Sequence, residues 1–232
     1  MWLLLFSSLA ISAEPGWNHH EGGLLKYKVN IRFGEEPDTM PNGWKFGRVS
    51  AVATDPAGEV YVFQRGPKAD PLIVFDAKGK YLRSWGKRGA GPGEFNIPHS
   101  IAVDSKGTVY VSDRENNRIQ IFDPNGKFLR QWTHLGATQN VFITPKDEMW
   151  IITHRDNIEN ITYDTLAGRI MKIDLATGRI IGSMESPGHW LNVSSGGEIF
   201  IGSLTGNVFR WFPGWKEGAA DSTEGLKPNN QK

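Results

Sequence analysis

The stretch NIPHSIAVDSKGTVYVSDRENNRIQIFDPNGKFLRQW, residues 96–132, decides the fold. Four short runs within it are rich in Val, Ile, Phe and Tyr, and Asp, Gly or Asn ends each of the first three. These runs are residues 101–103, 109–111, 119–122 and 128–132. β-Branched and aromatic residues favour strands, and turns of this composition reverse the chain. The stretch therefore predicts a four-stranded antiparallel meander.

The same pattern recurs along the chain. An aspartate, a glycine and a tryptophan each reappear after 47 residues, in the pairs Asp76 and Asp123, Gly79 and Gly126, and Trp85 and Trp132. Looser copies follow at residues 141–178 and 190–211. A period of about 40–50 residues with four strands per unit is typical of a β-propeller. We therefore predict an all-β propeller with about four recognisable four-stranded blades.

Composition limits the classes of function. A net charge of +1 gives no electrostatic basis for binding nucleic acid or an anionic membrane. The chain contains no cysteine, which excludes disulfides, a thiol nucleophile and a Cys-ligated metal. We expect one propeller domain over residues 24–215 and a polar, disordered tail over 216–232. Residues 24–33 alternate as a strand that we expect to close the ring by pairing with the last blade.

The N-terminus predicts export. Residues 1–13, MWLLLFSSLAISA, are apolar but too short to span a bilayer, which needs about 20 apolar residues. They are interpreted as a signal peptide cleaved near Ala13, so the protein is expected to be secreted or periplasmic, with no membrane span. The segment lacks the usual basic residues. A buried N-terminal strand, or a start codon assigned too late, is the alternative.

Several motifs resemble known families. PHSIAVD (98–104) and VSDRENNRIQIFDPNGKFL (111–129) resemble an NHL-repeat blade. VYVFQRG (60–66), GPGEFNIPHS (91–100), DRENNRIQ (113–120) and SPGHW (186–190) resemble the peptidyl-α-hydroxyglycine α-amidating lyases. The resemblance covers most of residues 24–215. It implies a six-bladed propeller with an axial zinc held by one His from each of three blades. In that family a Tyr and an Arg assist C–N cleavage of a carbinolamide, which yields an amide and glyoxylate.

The family's functional residues are only partly matched. The resemblance places His99 and His189 as zinc ligands and Arg65 as the catalytic Arg, with Arg114 or Arg118 beside the substrate channel. The third His and the Tyr of the family's DGY turn have no counterpart. About two blades are missing, and Trp85-Gly86-Lys87-Arg88-Gly89 is interpreted as the junction.

Three further positions bear on the incomplete set. His154 is a candidate replacement for the third zinc ligand, and Tyr163 for the lost Tyr. Trp190 stands where the family has an acidic residue that helps to bind calcium, so zinc is the expected cofactor and a calcium site lacks its ligand. A solvent-exposed loop position is the alternative for His154.

Structural roles are the alternatives for the main candidates. Either His99 or His189 could be a channel or blade-top residue without metal, and Arg65 could form a loop salt bridge. Asp113, Arg114, Glu115 and Arg118 could form an ion network that fixes their loop.

The missing blades leave the closure and the function open. Four blades in one ring need wedge angles near 90° from sheets evolved for about 60°, so we expect an open arc, a strained small ring or a homodimer that completes the propeller. Two functions fit the sequence. One is a lyase-like enzyme acting on a small amide or peptide substrate. The other is a non-catalytic NHL propeller that binds a protein or peptide partner on its top face.

Overall fold

The computed structural model describes residues 17–22, 25–30, 33–34, 40–154, 168–186, 188–202 and 208–214. For residues 17–22 and 25–30 and for His154 it describes the backbone alone. The predicted signal peptide at 1–13, the tail at 216–232 and Tyr163 lie outside these ranges. Within the described ranges no helix is long and apolar enough to cross a membrane.

The described elements are strands apart from one 3-10 turn. The strands are β1 (Trp17–Gly22), β2 (Leu25–Asn30), β3 (Val49–Thr54), β4 (Val60–Gln64), β5 (Leu72–Phe75), β6 (Tyr81–Trp85), β7 (Lys87–Arg88), β8 (Glu94–Phe95), β9 (Ser100–Val103), β10 (Val109–Asp113), β11 (Arg118–Phe122), β12 (Phe128–Trp132), β13 (Ala137–Ile143), β14 (Met149–His154), β15 (Gly168–Ile173), β16 (Ile180–Glu185), β17 (Trp190–Val193), β18 (Ile199–Gly202) and β19 (Val208–Trp211). The 3-10 turn is Arg114–Asn116.

Four antiparallel sheets form the blades. Blade 1 has the order β3-β4-β5-β6, blade 2 β9-β10-β11-β12, blade 3 β13-β14-β15-β16 and blade 4 β17-β18-β19. The innermost strands β3, β9, β13 and β17 line one central cavity of about 430 Å³. The prediction of an all-β propeller with about four blades is confirmed. The strand predicted over 24–33 exists as β2, but β2 pairs with β1, so the prediction that it pairs with the last blade is wrong.

Three apolar clusters fill the spaces between consecutive blades. Alternate residues of each strand point to opposite faces, so each inner blade contributes one face to the blade before it and one to the blade after it. Phe63 and Val111 belong to the cluster of blades 1 and 2, Tyr110 and Met149 to that of blades 2 and 3, and blades 3 and 4 share a further cluster. Among the described residues, no such cluster joins blade 4 to blade 1.

A tryptophan packed on a glycine joins blade 1 to blade 2 and blade 2 to blade 3. Trp85, at the end of blade 1, packs on Gly126, in the last turn of blade 2, and a Cβ on Gly126 would lie 2.6 Å from the indole. Trp132 packs in the same way on Gly178 of blade 3, where a Cβ would lie 2.5 Å from the ring. The recurring glycine is therefore required by the space under the indole as well as by its positive φ.

The two end faces of the row of blades differ. On the face of blade 1 turned away from blade 2, Ile73 and Phe75 are buried beneath Phe33, Trp44 and Phe46. On the face of blade 4 turned away from blade 3, three large apolar side chains remain exposed, namely Trp190 at 50%, Val208 at 76% and Phe212 at 65%. The N-terminal segment thus covers one end of the row.

Candidate metal and substrate site

Two histidines from different blades meet at the axis. His99 and His189 directly precede the innermost strands β9 and β17, and each is fixed by its own backbone N–H. That N–H donates to the carbonyl oxygen of Ser112 at 2.9 Å for His99 and of Gly202 at 2.8 Å for His189. The equivalent positions aim both imidazoles inward, and their Nε2 atoms lie 3.1 Å apart.

The orientation of the His99 ring is set by a backbone carbonyl. Its Nδ1 lies 2.7 Å from the carbonyl oxygen of Gln139, which can only accept. Nδ1 therefore carries the proton, and Nε2 keeps a lone pair directed at His189. Burial, followed by the charges of His189, Arg114 and Arg65, lowers the pKa of His99 to about 4, against the opposing effect of the bond to Gln139. The ring is accordingly neutral near pH 7.

This donor arrangement fits a zinc ion in part. Zinc takes neutral imidazole nitrogens at about 2.0–2.1 Å, so two nitrogens on one tetrahedral ion lie about 3.3 Å apart. At zinc sites the ring nitrogen of a ligating His that does not bind the metal usually donates its N–H to an oxygen, as Nδ1 of His99 does to the carbonyl of Gln139. Among the described residues, no group of three or more His, Cys, Asp or Glu side chains could hold a metal ion. No third ligand therefore joins the two histidines in this part of the chain. His154 ends β14, and only its backbone is described.

Trp190 occupies the position where the resemblance implies an acidic residue. Its ring lies edge-on to the His189 ring, with centroids 4.3 Å apart, and is half-exposed. An indole offers no oxygen ligand, and calcium takes oxygen ligands. This position therefore gives no support to a calcium site.

Two arginines flank the histidine pair. The Nε of Arg65 donates to the carbonyl oxygen of Pro98 at 2.9 Å, directly before His99. Burial and the neighbouring charges of Arg114 and Arg48 lower the pKa of Arg65. Arg114 forms an ion pair with Glu115 at 2.8 Å. Arg65 therefore places positive charge beside the histidine pair, whereas the charge of Arg114 is offset in part by Glu115.

Arg118 lies in the framework below that mouth. It is 5% exposed and donates to Asp113 at 2.8 Å, to Gln131 at 2.9 Å and to two backbone carbonyls of the preceding loop. Asp113 is fully buried and also accepts from the backbone N–H of Asn96 at 2.7 Å. These bonds match the predicted ion network and hold the loop that leads to His99.

Two polar residues of the channel were not singled out from the sequence. Asn140 in β13 donates to the hydroxyl of Ser100 at 3.1 Å and accepts from the backbone N–H of Leu191 at 3.2 Å, so it links three inner strands. An asparagine beside a run of apolar strand residues is a detectable signal. Gln139 acts on His99 through its backbone carbonyl, which every residue type offers, so no sequence signal exists for it.

Comparison with known proteins supports the fold and the repeat. Residues 95–122 match the NHL repeat family model. The chain is 36% identical over 84 residues to human NHL repeat-containing protein 3, covering 36% of this chain and 24% of that protein. It is 34% identical over 80 residues to peptidyl-glycine alpha-amidating monooxygenase A of Xenopus laevis, covering 32% and 9%. It is 45% identical over 111 residues to mouse E3 ubiquitin-protein ligase TRIM32, covering 48% and 15%.

Among solved structures, Kuenenia stuttgartiensis hydrazine synthase matches with a TM-score of 0.52 and 11% identity, over 74% of this chain and 48% of that chain. At that identity the match concerns the fold alone. The chain spans less than a quarter of the length of the curated relatives named above. What these proteins share with it is the repeat and the architecture, and the narrower lyase family is not established. The chain is a β-propeller that carries an NHL repeat.

Proposed function

We propose that this propeller is a lyase-like protein that cleaves the C–N bond of an α-hydroxyglycine-type amide with the help of zinc. The observation that carries the proposal is the pair of Nε2 atoms of His99 and His189, 3.1 Å apart on separate blades. The similarity to an amidating monooxygenase supports the substrate class. The predicted signal peptide would place this activity in a secreted or periplasmic protein.

Each residue of the site has a role in this proposal. His99 and His189 would hold the zinc, which as a Lewis acid would polarise the substrate hydroxyl. The carbonyl of Gln139 keeps the proton on Nδ1 of His99 and so leaves Nε2 available. Arg65 and Arg114 would attract and orient the carboxylate that leaves as glyoxylate. Tyr163 stays the candidate for proton transfer, with His154 as the candidate third ligand.

Zinc content with matched histidine variants tests the proposal. We expect about one zinc per chain in the wild type and a loss of zinc affinity of about 10–100-fold or more in His99→Ala and in His189→Ala. His134→Ala is the control, because its Nε2 contacts the carbonyl oxygen of Gly178 in another blade, at 2.9 Å. Glyoxylate release from N-benzoyl-α-hydroxyglycine should fall in the same two variants. Zinc retained in both would contradict the assignment.

A non-catalytic scaffold is the second candidate. It is favoured by the lack of a third metal-ligating side chain near the pair in the described ranges. In that case the top face would bind a protein or peptide partner, as an NHL propeller within a larger protein such as a ubiquitin ligase could do. Protein without zinc that releases no glyoxylate would favour this candidate. A homodimer that contributes a ligand from each chain would instead show zinc at one ion per two chains.

A further inference from the structure

A second cavity, distinct from the axial one, opens between blades 1 and 2. Its volume is about 760 Å³, within the range of about 300–1,000 Å³ usual for ligand sites. It is lined by Trp44 and by residues 64–71, 86–88 and 95–98. Arg65 and Pro98 separate it from the histidine pair, and we name it the basic pocket.

Positive charge is concentrated in the basic pocket. Four cationic side chains line it, namely Arg65, Lys68, Lys87 and Arg88, together with one acidic side chain, Asp70. This contrasts with a net charge of +1 for the whole chain. Lys87 pairs with Glu94 at 3.1 Å. The side chains of Lys68 and Arg88 are exposed and make no hydrogen bond or ion pair with the part of the chain that the structure describes.

Apolar side chains provide the rest of the lining. Trp44, Phe95 and Ile97 belong to it together with prolines of both loops. Ile97 is 43% exposed, so part of this apolar surface is accessible. A ligand that satisfies the pocket therefore needs an apolar group beside an anionic one.

The loop of residues 65–71 is held in place before any ligand arrives. Gln64 is 1% exposed, and its side-chain amide donates to the carbonyl oxygens of Ala69 at 2.8 Å and Asp70 at 3.0 Å. Its Oε1 accepts from the backbone N–H of Gly47 at 2.9 Å. A preformed loop of this kind lowers the ordering entropy that binding would cost.

The opposite wall stores backbone strain. Ile97 has a φ of 45°, which is unusual for a β-branched residue. The bond from the Asn96 N–H to buried Asp113 holds the chain just before it. Strained residues of this kind cluster at binding and catalytic sites. Ile97 therefore combines an unusual backbone conformation with a place in the lining of the cavity.

We propose that the basic pocket binds a short peptide segment in which a carboxylate side chain neighbours an aromatic or aliphatic one. Lys68 and Arg88 attract the carboxylate, and Trp44 and Ile97 contact the apolar side chain. An inorganic anion would use the charges but gain nothing from the apolar wall, which favours the peptide. The proposal rests on this cavity and not on zinc at the histidine pair.

Calorimetric titration with a defined probe tests the proposal. The probe is an acetylated, amidated tetrapeptide with one phenylalanine between two glutamates, and its matched control has glutamines in place of the glutamates. We expect the Lys68→Ala/Arg88→Ala double variant to bind the probe about tenfold more weakly than the wild type. The control double variant Lys106→Ala/Lys127→Ala also removes two positive charges, from turns of blade 2, and should leave binding of the probe unchanged.

Three results would overturn the proposal. One is equal binding of the glutamine peptide, and another is an equal loss in the Lys106→Ala/Lys127→Ala control. The third is displacement of the peptide by inorganic phosphate at the peptide's own concentration, which would indicate a general anion site. Titration in the presence of EDTA should leave the affinity unchanged, so failure of the zinc proposal and failure of this one can be distinguished.

Discussion

The two end faces of the row of blades differ in how their apolar side chains are covered. Phe33 lies on Gly79 of blade 1, with a ring atom 3.3 Å from where a Cβ would stand. That is the place that Trp85 takes on blade 2 and Trp132 on blade 3. The N-terminal segment therefore imitates the end of a preceding blade. On the outer face of blade 4, by contrast, Trp190, Val208 and Phe212 stay exposed in the described part of the chain. The ring-on-glycine contact is also missing between blades 3 and 4, where a Cβ on Gly214 would have no described atom within 4 Å.

The difference shows that the strands of a blade can pair regularly without a covered outer face. Blade 4 keeps regular pairing along β17-β18-β19 although its outer face is exposed. On that face Arg210 lies over the rings of Phe200 and Phe212, at 5.7 Å and 4.4 Å from their centroids. A guanidinium shields an aromatic ring while staying hydrated, so this cover is thinner than the aromatic one on blade 1.

The largest effect is expected for the aromatic cluster on blade 1. Phe75 is fully buried and meets Phe33 and Phe46 edge-on, at 5.6 Å and 5.8 Å between centroids. Phe75→Ala should lower the free energy of unfolding by about 3–5 kcal/mol in chemical denaturation. Phe200→Ala on blade 4 should cost about 1 kcal/mol. Equal losses would mean that the two end faces are covered alike.

A second comparison uses two turn glycines, one in blade 2 and one after the last strand of blade 4. Gly126 and Gly214 both have positive φ, 88° and 86°, but only Gly126 lies beneath an indole. Gly126→Ala should cost about 2–4 kcal/mol, since it adds a clash with Trp85 to the backbone strain. Gly214→Ala should cost only the strain, about 1 kcal/mol. Thermal unfolding of both variants measures the difference, and an equal shift of Tm would contradict the clash with Trp85.

An intermediate effect is expected for two arginines. Arg83 of blade 1 donates to the carbonyl oxygen of Pro124 in blade 2 at 2.8 Å and to Glu59 at 3.1 Å. Arg83→Ala should cost about 1.5–3 kcal/mol because it breaks charged bonds across an interface. Arg210→Ala should cost at most about 1 kcal/mol, because its ion pair with Glu198 is half-exposed and stays within blade 4.

The ion pair between Arg83 and Glu59 predicts that the stability of the fold depends on pH. The hydrogen bond from Arg83 lowers the pKa of Glu59 below its ordinary value of 4.5. The folded state therefore binds this proton less readily than the unfolded state, and the stabilisation is present above pH 4.5 and lost as the pH falls through the folded pKa. Arg83→Ala should flatten this acid limb of the stability profile. Lys127→Ala, which removes an exposed charge without an ion-pair partner in the described residues, serves as the control.

The smallest effect on stability is expected for the exposed face of blade 4. Val208→Lys should change the free energy of unfolding by no more than about 0.5 kcal/mol, because the side chain is 76% exposed. Sedimentation at rising concentration should show less self-association than the wild type, since a charge breaks an apolar patch. Lys127→Ala is the surface control. Unchanged association would exclude this face as the contact in a homodimer, which is one of the three assemblies considered above.

The repeat makes the fold predictable from the sequence. The residues that cover the end faces of the row of blades cannot be predicted in this way. Trp85, Trp132, Gly79 and Gly126 recur at one interval, so strand number and sheet order follow from a single blade. Phe33 lies outside that interval and acts only through a contact between distant parts of the chain. A pattern of alternating residues predicts a strand but does not identify the strand that pairs with it. The prediction that β2 pairs with the last blade is therefore wrong, since β2 pairs with β1.

The candidate site was predictable where it depends on side chains at repeat positions. His99 and His189 precede equivalent inner strands, so the repeat itself brings them together. The repeat does not predict the basic pocket, because its four cations lie outside the repeated strands of the blades and Lys68 and Arg88 do not recur at the repeat interval. The strain at Ile97 is a backbone property of the assembled loop and leaves no trace in composition.

The tryptophan-on-glycine contact bears on how such chains change in length. Blades 1 and 2 each end with an indole that docks forward, and blades 2 and 3 each carry the glycine that receives it, so these two boundaries have the same chemistry. Losing or duplicating a whole unit during evolution would bring another indole to another glycine, and the new boundary would close without any compensating substitution. Loss of part of a unit would leave an indole without its glycine. Gene rearrangements in multiples of one repeat are therefore the tolerated kind.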